Sequence, residues 1–417
     1  MFSRLGLHKI QNLYNDYPRQ FWLLVFATFI DRLGGALLFP FFTLYVTQKF
    51  QIGMTQVGIL FGLFSISAMM GGLLGGGLSD RLGRKGTLIL GLIASAGSSV
   101  FMGLVDDLGT FFIIALVSGI FSEAGGPARQ AMIADLLPQE KRAEGFGILR
   151  VAFNLSVAIG PAIGGLLASR SYLLLFVSDA VASTITAAIV FFVLKETRPQ
   201  TAEDDKPETM GETFRGYGRV LKDRLYVTFI FANILMGLVY VQMNSTLSVF
   251  LRDFHGITEQ LYGYIMSLNA AMVVVMQFSI TRKVRNKAPM WMMALGCVFY
   301  AVGFGMYGFV SAYWLFLAAM AVITIGEMVI SPVGQAIVAM LAPETMRGRY
   351  MAVNGFSWSI SFALGPLLAG LAIDSGNPNW VWYASILLSL ASAFAFLAMR
   401  RKAFDRNAVQ PGEPAAS

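Results

Sequence analysis

Apolar runs recur along the chain at about 20–46, 55–79, 86–105, 110–135, 144–168 and 172–194, then at about 225–251, 258–281, 289–310, 313–340, 348–373 and 379–399. Each suffices to cross hydrocarbon as a helix, which takes ~20 apolar residues. Twelve such runs predict an all-α membrane protein built as two six-helix bundles. The longest polar stretch, 195–224, carries Asp204, Asp205, Lys206 and Pro207 at its centre and separates the two sets. The expected organisation is an N-terminal segment 1–19, a first bundle 20–194, a central loop 195–224, a second bundle 225–399 and a tail 400–417. In the first segment Leu7, Ile10, Leu13, Tyr14 and Tyr17 follow a roughly helical spacing, which suits either a helix on the inner leaflet or a loose tail.

The two sets also repeat in sequence. A constant shift of 205 residues carries Phe26-Ala27 onto Phe231-Ala232, Gly58 onto Gly263, Pro127 and Gln130 onto Pro332 and Gln335, Gly160-Pro161 onto Gly365-Pro366, and Arg142 onto Arg347. Parallel repeats of this kind are a transporter architecture in which the substrate site lies between the halves near the midplane.

Composition narrows the class. With 56% hydrophobic residues, 13% charged and a mean hydropathy of +0.64, the chain is too apolar for a soluble globule. A net charge of +7 raises the question of nucleic acid, but the placement of the bases argues against it. Of the 31 Lys and Arg, only Lys49, Arg170 and Arg252 fall in loops of the opposite side, and only Arg32, Arg129 and Arg150 lie well inside the apolar runs, Arg349 standing at the edge of one. The rest crowd the tails and the loops of one side, which places both termini in the cytoplasm of an inner or plasma membrane. Cys297 is the only cysteine and His8 and His255 the only histidines, so no disulfide, metal centre or other cofactor is expected, and no nucleophile set for an enzyme. No phosphate-binding loop points to ATP. No short apolar region with a small-residue cleavage site precedes the first run, so no cleavable signal is expected. The expected partners are a small-molecule substrate, protons and the bilayer, for a protein working as a monomer.

Where the second run stops, glycines and alternating charge follow. Gly83 permits a tight reversal, and Arg81, Arg84 and Lys85 hold it on the cytoplasmic side. Asp80 can pair with those bases or sit at a helix N-terminus. The full pattern, Gly76-x-Leu78-x-Asp80-Arg81-x-Gly83-Arg84-Lys85, resembles the signature loop between helices 2 and 3 of the major facilitator superfamily. That resemblance implies twelve helices in two halves rocking about a central cavity lined by helices 1, 4, 7 and 10. The corresponding stretch of the second half, 281–290, is basic but lacks the acid and the glycines, so an acid-dependent gate belongs to the first half. Asp135, beside Lys141 and Arg142, is expected to join Asp80 and Arg81 in a charge cluster, which the resemblance implies locks the outward-facing state.

In the fifth run, Gly147, Ser156, Gly160, Pro161, Gly164 and Gly165 stand at a spacing that lets helix backbones approach closely, and Pro161 removes a backbone donor. The pattern resembles the antiporter motif of the drug/proton antiporter branch, with Ser156 where that motif has glycine. The resemblance implies export.

Ionisable side chains within hydrocarbon cost ~2.5–3.5 kcal/mol on insertion scales and mark functional candidates. Asp31, Glu123 and Glu327 lie about twelve to fourteen residues into their runs, near mid-membrane at ~1.5 Å per residue. Burial disfavours the charged form of a carboxyl, so such acids can hold and release protons near neutral pH. Asp179 lies nearer the outer surface, on a helix the resemblance makes a lipid-side support, and reads as structural. Arg32, adjacent to Asp31, points ~100° away from it and has a different partner. Arg129 and Arg150 read as snorkelling or paired structural charges.

Polar stripes accompany the central acids: Thr324, Glu327, Ser331 and Gln335 in the tenth run, Asn233, Gly237, Tyr240 and Asn244 in the seventh, and Glu123 through Pro127 to Gln130 in the fourth. Phe39, Tyr240 and Met243 are further candidates for the cavity wall. Thr324 to Val329 with Ser331-Pro332, together with Ala232-Asn233-Ile234 and Gln242, resemble the LmrP-type multidrug/proton antiporters, which implies a substrate and proton role for Glu327. The branch commonly has an arginine four residues before a glycine in helix 4. Here Ala115 holds that place before Gly119, leaving Arg32 as the candidate replacement. The expected function is efflux of small amphipathic, cationic compounds in exchange for protons. Alternatives are a transporter of a sugar, metabolite or lipid in the same fold, or a membrane-embedded enzyme or sensor.

Overall fold

The structure is a computed structural model and describes residues 15–197, 210–343 and 346–408. Most of the expected N-terminal segment and the centre of the linking loop lie outside those residues. Among the described residues, twelve helices are long and apolar enough to cross a membrane. The first half holds α1 (Arg19–Phe50), α2 (Met54–Ser79), α3 (Arg81–Leu104), α4 (Leu108–Leu136), α5 (Gln139–Ala168) and α6 (Tyr172–Val193). A short amphipathic helix, α7 (Met210–Val220), precedes the second half.

The seventh run is not one helix. It divides into α8 (Arg224–Tyr240), α9 (Gln242–Ser245) and α10 (Leu247–His255). At the first break the Gln242 amide donates both to Leu238 O (2.8 Å) and to Gly365 O (3.0 Å), and Thr246 Oγ1 donates to Gln242 Oε1 (2.6 Å). Side-chain donors thus compete with the backbone ladder where it is interrupted. The second half continues with α11 (Glu259–Val284), α12 (Pro289–Met306), α13 (Tyr313–Leu341), α14 (Arg347–Asp374) and α15 (Trp380–Ala408). The last helix runs on into the stretch expected as tail.

Local chemistry sets several starts. Asp107, Ser171 and Asp223 accept hydrogen bonds from backbone N–H groups in the first turns of α4, α6 and α8. Pro289 opens α12, where a missing N–H costs nothing. Phe192 and Phe278, each 80% exposed, belong to a broad apolar outer surface suited to lipid rather than water.

Packing divides the chain into two compact units that exchange short pieces between the sequence halves. One comprises residues 1–51, 63–203 and 258–267, the other 52–62, 204–257 and 268–417. In the second unit the start of α2 lies on α14, where a Cβ on Gly58 would meet Leu367 Cα at 2.3 Å. Asp374 closes that contact by accepting from Met54 N (3.1 Å) and Thr55 N (2.8 Å). In the first unit the start of α11 lies on α5, with Gly263 against Pro161 O and Gly165. The 205-residue shift relates these contacts, so the sequence repeat is also a repeat of packing.

It extends to hydrogen bonds. Ser156 Oγ donates to Phe29 O (3.0 Å), joining α5 to α1, and Ser361 Oγ donates to Ile234 O (3.2 Å), joining α14 to α8. One turn further along each helix, Gly160 lies against Ala36 and Gly365 against Val241. Serine at the motif position therefore supplies an interhelical hydrogen bond while remaining small enough for close approach.

Candidate functional site

The signature segment turns at a single residue. Gly83 has φ +84°, in the left-handed region, and a Cβ there would lie 2.3 Å from Glu196 Oε2. The reversal aims the next two backbone N–H groups at Glu196, which accepts from Arg84 N (3.0 Å) and Lys85 N (3.1 Å). A carboxylate at a helix N-terminus satisfies donors that lack an intrahelical partner. Arg84 Nε pairs with Asp135 at 3.5 Å and its Nη1 donates to Ser79 Oγ at 2.9 Å. Asp135 thus meets Arg84, while Arg81 is exposed, and Arg142 donates to Leu137 O (3.2 Å). The side chains of Asp80 and Arg347, and Gly76 beyond its helical backbone, lie outside what the structure describes. Glu196, just past α6, is an acid that sequence reasoning missed.

In the first unit α1, α4 and α6 bring charge together. Asp31 Oδ2 pairs with Arg129 Nη2 at 2.9 Å, both side chains being largely buried, and Ser183 Oγ donates to Asp31 Oδ1 at 3.5 Å. Arg32 and Glu123 lie close enough to Arg129 to act on it electrostatically. Two acids and two bases therefore gather here. Arg32 also faces the Phe153 ring, its Cζ 6.0 Å from the centroid. Arg129, and not Arg32, holds Asp31. Glu123, Gln130 and Phe39 are exposed. Of the antiporter motif, Gly160 and Gly164 pack on α1 and Gly165 on α11, while a Cβ on Gly147 would meet nothing within 4 Å.

The second unit is built differently. Glu327 on α13 is half-buried, and its carboxylate accepts from Tyr240 Oη (3.0 Å) and from Asn269 Nδ2 (2.8 Å). Asn269 also donates to Thr324 Oγ1 (3.0 Å), whose hydroxyl donates to Met320 O (2.7 Å). Among the described residues no base approaches Glu327; only neutral donors hold it. Aromatic rings enclose the Tyr240 side: Tyr300 stacks on it with centroids 6.0 Å apart, and Trp358 meets it edge-on at 5.7 Å.

Asn233 is buried and donates to Asn354 Oδ1 (3.2 Å), Met243 is buried, and Asn244 and Ser331 are half-buried. Gln335 is exposed, like its repeat mate Gln130. Asn269 was not among the sequence candidates. The available signal was one amide within the apolar run Ile265 to Ala271, on a helix that the resemblance leaves out of the cavity wall.

Comparison with known proteins follows the same lines. The model of the Major Facilitator Superfamily matches residues 24–326 and 286–416. A relative from Planococcus maritimus, described as a Na(+), Li(+), K(+)/H(+) antiporter, is 26% identical over 411 residues, covering 92% of this chain and 96% of its own. The multidrug resistance protein MdtH of Shigella flexneri is 23% identical over 384 residues, covering 91% and 92%. Among solved structures, the nucleoside transporter NupG superposes with a TM-score of 0.76 at 15% identity, covering 92% of this chain and 99% of that one, which speaks for the fold alone.

Proposed function

The chain belongs to the Major Facilitator Superfamily, a multi-pass membrane transporter and not an enzyme, and from that premise we propose that it exchanges protons for small cations, exporting amphipathic organic cations across a bacterial inner membrane. The reading rests on one observation above all. Glu327 carries an ionisable carboxyl between neutral donors, with no base to neutralise it among the described residues and with aromatic faces alongside. Such a group in hydrocarbon is best neutralised by a proton or by a cation, and the two then compete for it. Flat aromatic faces favour a bulky organic cation, each contact contributing about 0.5–2 kcal/mol.

In the proposed cycle Glu327 releases its proton to one side as the cation binds and takes one up from the other as it leaves. The Tyr240 hydroxyl and the Asn269 amide keep the carboxylate oriented in both stages. Asp31, Arg32, Glu123 and Arg129 form the charged cluster of the first unit, and the Gly83 turn with Arg84, Asp135 and Glu196 forms the gate. Both termini lie in the cytoplasm, as the distribution of Lys and Arg supports.

A second reading has its own support. The relative from Planococcus maritimus is described as an alkali cation/proton antiporter, and Glu327, Tyr240, Thr324 and Asn269 carry oxygens that suit a hard cation. Inverted membrane vesicles with an imposed proton gradient separate the two. Tetraphenylphosphonium dissipating the gradient where sodium, lithium and potassium chloride do not supports organic cation export. Dissipation by the alkali salts alone establishes the second reading, and accumulation of a sugar or nucleoside with no response to either removes both.

A further inference from the structure

The contact of α1 with α6 holds a carboxyl that the proposed cycle does not use. Asp179 is 8% exposed and accepts a hydrogen bond from Ser99 Oγ of α3. It lies directly on α1: a Cβ on Gly34 would stand 2.9 Å from Asp179 Oδ1 and 3.1 Å from Asp179 Cα. Four residues along the same face of α6, Ser183 donates to Asp31. Asp179 and Ser183 on α6 therefore run alongside Gly34 and Asp31 on α1, and the two carboxyls are offset by about one helical turn, ~5.4 Å along the axis.

Charge accounting separates them. The titratable groups near this stretch are Asp31 and Arg32 from α1, and Arg129 and Glu123 from α4. Helix α3 contributes the Ser99 hydroxyl, and among the described residues α5 presents no charge to Asp179. Asp31 takes Arg129, and the two acids and two bases of the neighbouring cluster balance. Asp179 is the acid left over. An unpaired carboxylate at this depth is costly, and a bound proton removes that cost.

We propose that Asp179 is a second proton-carrying site, exchanging its proton with Asp31 across the α1–α6 contact. In the exchange the Asp179 O–H bond breaks and an Asp31 O–H bond forms. The negative charge moves from Asp31 to Asp179, and the Arg129 guanidinium, released from a neutral Asp31, remains the nearest compensating charge. The net charge of the cluster does not change, so the step needs no ion from outside. This rests on the proton-exchange reading and extends it: with Asp31 then releasing that proton to one side of the membrane and Asp179 reloaded from the other, the cycle moves one proton more than Glu327 alone carries.

Infrared spectroscopy of the purified protein in lipid tests the assignment without any transport assay. At neutral pH the difference spectrum between wild type and Asp179→Asn is expected to lose a protonated-carboxyl carbonyl band, and the same loss is expected in the Glu327→Gln background. A difference spectrum showing only lost ionised carboxylate overturns the proposal. Ser99→Ala keeps Asp179 and serves if Asp179→Asn does not fold: the carbonyl band should shift on removal of its hydrogen-bond partner, and an unshifted band overturns the assignment. In proteoliposomes with tetraphenylphosphonium as probe, Asp179→Asn should lower the proton-to-cation ratio by one while cation binding persists. An unchanged ratio sinks the proton-carrying role. Failure of wild type to transport that probe, with the infrared band present, indicts the choice of substrate and leaves the proton site standing.

Discussion

The two units hold their central acids in opposite ways. Asp31 is matched by Arg129 at 2.9 Å within a cluster of two acids and two bases, whereas Glu327 has the Tyr240 hydroxyl and the Asn269 amide and, among the described residues, no base. A paired buried charge holds its structure because losing either member strands the other. An acid among neutral donors can bind and release a cation or a proton and leave its scaffold intact. The 205-residue shift carries Asp31 onto Met236 and Glu327 onto Ser122, so neither acid has a counterpart in the other half and the repeat of packing is not a repeat of charge.

Substitutions sharpen the contrast. The largest effect on transport is expected from Glu327→Gln, which keeps the size and one oxygen to accept from Asn269, with its NH2 donating to a reoriented Tyr240 hydroxyl, but cannot exchange a proton: a loss of about 100-fold or more. Wild-type exchange by that variant removes the assignment. Arg129→Met should behave the other way, costing about 3–5 kcal/mol of stability by stranding Asp31, measured by thermal unfolding. Adding Asp31→Asn should recover much of that loss, and no recovery would show that the pair is not the unit that matters.

Smaller effects test the frame that carries both sites. Gly83→Ala forces a side chain into φ +84° and against Glu196, and should cost about 1–3 kcal/mol. A neutral result would place the signature glycine's role elsewhere than in the turn. Ser156→Ala and Ser361→Ala each remove one interhelical hydrogen bond and should cost about 1 kcal/mol apiece. Unequal costs would show that the two halves, alike in geometry, are not alike in energy.

Much of the frame was legible in the sequence because hydrocarbon imposes a simple demand. A segment must be apolar over its whole length, so all twelve spans show as runs, and the 205-residue shift read from the sequence is matched by paired contacts such as Ser156 on Phe29 and Ser361 on Ile234. Partnerships were harder. Asp31 and Arg129 are 98 residues apart, and nothing local says that their helix faces meet; helix geometry says only that Arg32, its neighbour in sequence, has a different partner. Asn269 and Glu196 escaped notice for related reasons. One is a single amide in an apolar helix and the other an ordinary acid at a helix end, and only packing against Glu327 and Gly83 gives them their tasks. The breaks around Gln242 were invisible because its side chain finds Gly365 on a distant helix.

The central claim is that a cation and a proton compete for Glu327. Adding tetraphenylphosphonium to the purified protein in weakly buffered detergent, with a pH electrode in the sample, reads that competition directly. Wild type should release protons as the cation binds, and Glu327→Gln should bind more weakly and release fewer. Equal release from both proteins, or binding by wild type with no release at all, would contradict the account.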